Sequence, residues 1–332
     1  MKRKSFLIGM SSTVLSVCWP FGAAAQPKDA TPKLLKVAVV FPGPAEEPWN
    51  NAIYQPLLKA KEAGKISLDL ADNVGYPEFE RVLREYSSRG YNLIVGDAFG
   101  SDDKLRRVAK QYPQVNFLFG SALPPQAPNV GVFNSWIEET TYLTGVLAGL
   151  MSKTGTVGIV TSFPQPGPNR KVNAFVLGAK STNPKMKVKI TFLDSWYDPA
   201  KAKEATFAQV EAGADFVFAE RFGVIEACRE KGVYAFGNIQ DQHSLAPKTV
   251  VTSVVWDLQP LMSFVVGNLV DGAFQPIDYR EWSMMAKGGT YLTPFQEFVM
   301  PADKLAAFQK TMQAVKVGQT KVPLNAAVPI GD

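Results

Sequence analysis

The stretch LLKVAVVFPGPAEEPWNNAIYQPLLKAKEAGKISLDL, residues 34–70, holds one full strand–helix–strand unit. Leu35 to Phe41 is a nearly unbroken apolar run, the pattern of a strand buried on both faces. Trp49 to Ala63 reads as a helix stopped at Gly64, and Ile66 to Leu70 as the next strand. A helix between two buried strands is the crossover that parallel neighbours require. The unit therefore predicts a parallel α/β sheet.

Downstream the pattern repeats. Pro77 opens a helix with Phe79, Val82, Leu83 and Tyr86 on one face, closed by Gly90. Strands follow at Asn92 to Gly96, Val115 to Gly120 and Asn129 to Phe133. Ser135 and Glu138 have the spacing of a capping box at the start of a helix. Its Leu143, Val146, Leu147, Leu150 and Met151 form one apolar stripe, and Gly145 and Gly149 suit close packing against a neighbour. The alternation then restarts, with strands at Thr156 to Val160, Val188 to Leu193, Asp215 to Ala219, Tyr234 to Gly237 and Thr249 to Val255. Asp198 and Asp257 sit where helix caps belong, and a last helix runs from about Pro301 to Val315. Two successive runs of this kind predict an α/β protein with two doubly wound parallel-sheet lobes. We expect lobe 1 to hold 34–134 plus 243–256, and lobe 2 to hold 135–242 plus 257–332.

Upstream, residues 1–25 read as an export signal: Lys2, Arg3 and Lys4, then a mostly apolar stretch from Phe6 to Phe21, then Ala23-Ala24-Ala25 before Gln26. Residues 26–33 read as a flexible leader. This predicts a periplasmic protein. Cys18 follows Leu15-Ser16-Val17, a poor lipoprotein box, so anchoring there is the lesser expectation. The leading cations carry three of the formal +5 charge, which leaves the remainder near +2. That is not the basic face of a nucleic-acid binder, and none is expected as partner. One His and two Cys exclude multi-cysteine zinc sites and disulfide frameworks, and no metal or cofactor is expected.

In open parallel sheets the ligand crevice lies beyond the carboxyl ends of the strands. The residues there include Phe41, Asp97, Phe99, Asn134, Trp196, Glu220 and Asn238. Aromatic faces with carboxylates and carboxamides suit a flat, mostly neutral ligand: rings stack on it and side-chain oxygens and amides read its edge. An enzyme is not expected. His243 is the one imidazole and sits in a polar loop, and the nucleophile-elbow, phosphate-loop and dinucleotide motifs are missing. Adjacent acids such as Glu46-Glu47 read as solvated faces.

From Leu34 to Phe274 the chain resembles the basic membrane protein family of ABC-transporter substrate-binding proteins, whose best understood members are purine nucleoside receptors. The resemblance is carried by the Glu138 to Gly149 helix with its Tyr-Leu-x-Gly run, Lys153 to Gly158, Asp194-Ser195-Trp196-Tyr197-Asp198-Pro199, Gly213-Ala214-Asp215, Gly237 to Gln242 and Thr252-Ser253. It implies a type I periplasmic-binding fold with a hinge and an inter-lobe cleft. It also implies no catalysis, and as partners a small-molecule ligand (a purine base or nucleoside) with ABC permease and ATPase subunits. We expect a monomer. By position the resemblance makes Phe41 and Trp196 the stacking rings, puts Asp97 and Phe99 on a binding loop, and gives Asn50 or Asn51, next to Trp49, the base-reading amide. Asn238 stands where the family's first ribose-binding Asp stands, and Trp256 where it has a Lys. Losing a carboxylate and a cation removes two hydroxyl partners, so a free base is favoured over a nucleoside. A sugar, another heteroaromatic or a sensor role is the alternative, with an exported hydrolase last.

Overall fold

A computed structural model describes residues 34–332. The expected signal peptide 1–25, the leader 26–33 and Cys18 lie outside the described residues. The elements run β1 (Leu35–Val40), α1 (Pro48–Glu62), β2 (Ile66–Ala71), α2 (Gly75–Ser88), β3 (Leu93–Asp97), α3 (Asp102–Gln111), β4 (Asn116–Gly120) and β5 (Val130–Phe133). Then follow α4 (Glu138–Met151), β6 (Thr156–Thr161), α5 (Pro166–Thr182), β7 (Lys187–Phe192), α6 (Pro199–Glu211), β8 (Phe216–Ala219), α7 (Val224–Lys231), β9 (Tyr234–Gly237) and β10 (Val250–Trp256). The chain closes with α8 (Gln259–Val270), β11 (Thr290–Leu292) and α9 (Ala302–Lys316).

The strands form two sheets, ordered β2-β1-β3-β4-β5 and β11-β10-β9-β8-β6-β7. Every pairing is parallel except β10 with β11. Alternation within each strand assigns the layers. Val37 and Val39 of β1 join Ile53 and Leu57 of α1 in one apolar cluster. Ala38 and Val40 join Phe79 and Leu83 of α2 in another. The first of these clusters also contains Val157, Phe218 and Phe236 of the second sheet and Ile137, Trp256 and Leu258 where the chain passes between sheets.

The expected lobe boundaries need two changes. β10 pairs with β9 in the second sheet, so 243–256 does not join the first. α8 instead packs on α1, and the backbone of Val132 in β5 exchanges hydrogen bonds with Ile277 and Tyr279. The chain therefore crosses at about Asn134, Trp256 and Ser283. An apolar run such as Val250–Trp256 suits either sheet, and its sequence does not name its partner.

α4 and α5 approach closely. A Cβ on Gly145 would sit 2.1 Å from the Phe175 carbonyl oxygen. The expected capping box does not form: α4 begins at Glu138 with Ile137 at its cap, and Glu138 turns to Arg170 of α5 at 2.6 Å. The Asp198 cap does form, accepting the Lys201 N–H at 2.9 Å. No helix among the described residues is long and apolar enough to cross a membrane.

Candidate functional site

Each sheet reverses its winding direction once, between β1 and β3 in the first and between β6 and β8 in the second. Such switch points leave a crevice at the strands' carboxyl ends, because consecutive loops splay to opposite sides. The segments after β1 and β3 supply Glu47, Trp49, Asn50, Asp97 and Phe99. Those after β6 and β8 supply Ser162, Phe163, Glu220 and Arg221.

On the first side, Glu47 caps α1 by accepting the Asn50 backbone N–H at 3.3 Å. The Asn50 amide nitrogen donates to the Pro44 carbonyl at 2.8 Å. A carbonyl can only accept, so this bond fixes the amide and leaves Oδ1 buried and unpaired. Trp49 packs edge-on to Phe99 with centroids 5.6 Å apart, and its indole N–H is also buried and unpaired. Asp97 accepts the Phe99 backbone N–H at 2.8 Å. Burial pushes its carboxyl up to about 7, with the charges of Glu47 and Asp102 adding to the effect. Burial also raises Glu47, against the opposing pull of the Asn50 backbone N–H and the Arg221 guanidinium.

On the second side, Glu220 is the buried centre. It accepts from Lys171 Nζ at 2.6 Å, from Arg221 Nε at 2.6 Å and Nη2 at 2.8 Å, and from Thr161 Oγ1 at 3.2 Å. Burial alone would raise its pKa, but the Arg221 and Lys171 charges outweigh it and hold the carboxyl at about 2. Arg221 donates onward to the Trp196 carbonyl at 2.9 Å and lies 5.6 Å from that ring's centroid. Trp196 is 51% exposed and packs against Phe163. Asn238 donates its backbone N–H to Gln242 Oε1 at 2.8 Å and leaves its own Oδ1 buried and unpaired, as is Ser162 Oγ. The next residue, Ile239, has φ of 68°. A β-branched side chain in the left-handed region is strained, and such strain clusters at functional sites.

The sides meet at Trp256. Its ring lies 4.6 Å from Trp49 and 6.1 Å from Phe133. Its indole N–H donates to Ser283 Oγ at 2.9 Å, and Ser283 Oγ donates to the Asn134 carbonyl at 2.8 Å.

The profile of a family described as Bmp, ABC transporter substrate-binding protein PnrA-like, matches residues 34–276. The chain belongs to the Bmp family. This Bmp protein is 30% identical over 291 residues to a purine-binding protein of Brucella abortus (strain 2308), covering 86% of this chain and 82% of the relative. It is 27% identical to a putative ABC transporter glucose-binding protein of Haloferax volcanii, over 67% of this chain and 57% of that one. A solved solute-binding protein of Conexibacter woesei superposes with a TM-score of 0.71 at 23% identity, over 87% of this chain and 98% of the other. That likeness agrees with the two-lobed binding-protein fold. Bmp proteins are binding components of ABC transporters, not enzymes, and they act with permease and ATPase subunits.

The Bmp protein places its expected site residues unevenly. Trp49, Asn50, Asp97 and Phe99 come together on one side, and Trp196, Glu220 and Asn238 on the other. Asn134 and Trp256 sit at the crossovers. Phe41 has no exposed surface: it is packed into the apolar core, so the rings available on that side are Trp49 and Phe99. Glu220 has its oxygens filled by Thr161, Lys171 and Arg221, so it organises cations instead of reading a ligand edge. Three contributors were missed. Glu47 is exposed, as a solvated acid should be, and it is also the cap of α1 at the switch point. Lys171 lies in a helix rather than directly after a strand. Ser162 directly follows β6, but nothing in its sequence singles it out.

Proposed function

We propose that this Bmp protein captures a free purine base between its two sheets and presents it to a membrane permease outside the cytoplasm. The observation that carries the reading is the set of unpaired buried polar atoms beyond the carboxyl ends of the strands in the two sheets: Asn50 Oδ1, Trp49 N–H, Asn238 Oδ1 and Ser162 Oγ. Leaving such groups unmet costs about 1–3 kcal/mol each, so a ligand that meets them gains that much selectivity. A purine base offers ring N–H and amino donors to the two amide oxygens and a ring acceptor to the indole N–H. Trp49, Phe99 and Trp196 supply aromatic faces for it. The partners for a ribose are reduced: Asn238 replaces a carboxylate, and the Trp256 N–H is spent on Ser283. The purine-binding name of the Brucella relative supports the class. Export through residues 1–25 is part of the same reading.

A thermal-shift panel of adenine, guanine, hypoxanthine, xanthine, their nucleosides and glucose tests it. A ligand at about 100 times its Kd adds about 2.7 kcal/mol to native stability. One or more bases should raise the melting temperature more than the matching nucleoside. No shift with any of the four bases rejects the proposal. A shift with glucose alone favours the sugar reading that the Haloferax relative's name suggests.

A further inference from the structure

Trp256 occupies an unusual junction. It ends β10 in the second sheet, yet its ring packs on Trp49 of the first side at 4.6 Å. Its backbone N–H donates to the Ile239 carbonyl at 2.9 Å, next to Asn238 and at the strained residue. Its indole N–H starts a two-bond relay through Ser283 Oγ to the Asn134 carbonyl. Asn134, Trp256 and Ser283 mark the three places where the chain passes between sheets. Trp256 therefore touches Trp49 through its ring, holds the Asn238-Ile239 turn through its backbone, and reaches the other two crossovers through two hydrogen bonds.

We propose that Trp256 is a positioning residue that couples occupancy of the gap to the pivot. The indole does not read the ligand with its N–H, which is already spent. A ligand that engages the unpaired Trp49 N–H and Asn238 Oδ1 fixes Trp49 and the Asn238-Ile239 turn. Both of these rest on Trp256. The relay then holds the three crossovers in the one arrangement compatible with that contact. Two packed states joined through such a junction give closure a defined end point. The inference rests on the reading that the gap holds a ligand, but the relay also acts in the free protein.

The test uses two variants that cut the relay at different places. Trp256→Phe keeps a ring against Trp49 and removes the N–H, whereas Ser283→Ala leaves every ring in place. Spin labels at Tyr76→Cys and Tyr197→Cys, both exposed and on opposite sides, report the distance distribution between sides by pulsed electron resonance. In ligand-free protein both variants should broaden or shift that distribution, and the double variant should do no more than either alone. Distributions unchanged in both variants, or effects that simply add, overturn the proposal whatever the ligand proves to be. With the base that best stabilises the unaltered protein, each variant should weaken binding about fivefold or more, the worth of one hydrogen bond. If no base binds, the function reading fails while the ligand-free arm still decides this one.

Discussion

At the scale of single residues the site is a set of acids and cations tuned in opposite directions by what surrounds them. Asp97 stands at about 7 against an ordinary 3.8, because burial penalises its charge. The native state therefore binds a proton more tightly than the unfolded chain does. The stability this proton supplies is complete below the unfolded value and is lost as pH rises through the folded one. Asp97→Asn cannot ionise, so its melting temperature relative to the unaltered protein should climb from about pH 4 to about pH 7 and level off above that. A difference that stays flat across that range would show that Asp97 titrates as an ordinary carboxylate. Sequence reading reached Asp97, Asn238 and Trp196 because they follow strands directly. It could not see that Glu220 is filled by its neighbours or that Phe41 is sealed in the core. Those facts depend on which helix lies opposite, and Lys171 is ten residues from the nearest strand end.

At the scale of elements, the strand and helix assignments were legible wherever periodicity was strong, and partnerships were not. β1, β3 and β6 were visible from apolar runs bounded by turn residues. β10 was visible as a strand but was placed in the wrong sheet, since nothing in Val250–Trp256 distinguishes its two possible neighbours. The short antiparallel β11 was missed: three residues give no usable period. The Gly145 contact was legible, because small residues one turn apart suit a close helix approach. It also supports a firm expectation. Gly145→Val forces a branched side chain into the Phe175 backbone, which cannot retreat like the end of a flexible chain. Overpacking of this kind costs about 1–3 kcal/mol or more, so denaturant unfolding should lose at least that much at unchanged slope. Stability equal to the unaltered protein would mean that α4 and α5 can separate freely.

At the scale of the whole molecule, two parallel sheets with one winding reversal each were foreseeable from the repeated strand–helix alternation. Their relation was not, because crossovers are short and carry no periodicity. The structure shows why the two halves act together: one apolar cluster runs from β1 through the crossovers to Phe236. It also sets opposite charges on facing sides. Glu47 stands on one, and Lys171 and Arg221 gather around Glu220 on the other. Glu47 and Arg221 are near enough to shift each other's protonation. An uncharged cargo would therefore still be held with an affinity that falls as salt rises, because counterions screen the attraction drawing the two faces shut over about 8 Å at physiological ionic strength. Calorimetric titration across sodium chloride concentrations would show that slope, and a flat line would mean that the faces meet without electrical help. Uptake would then track the salinity of the medium even where the nutrient itself carries no charge.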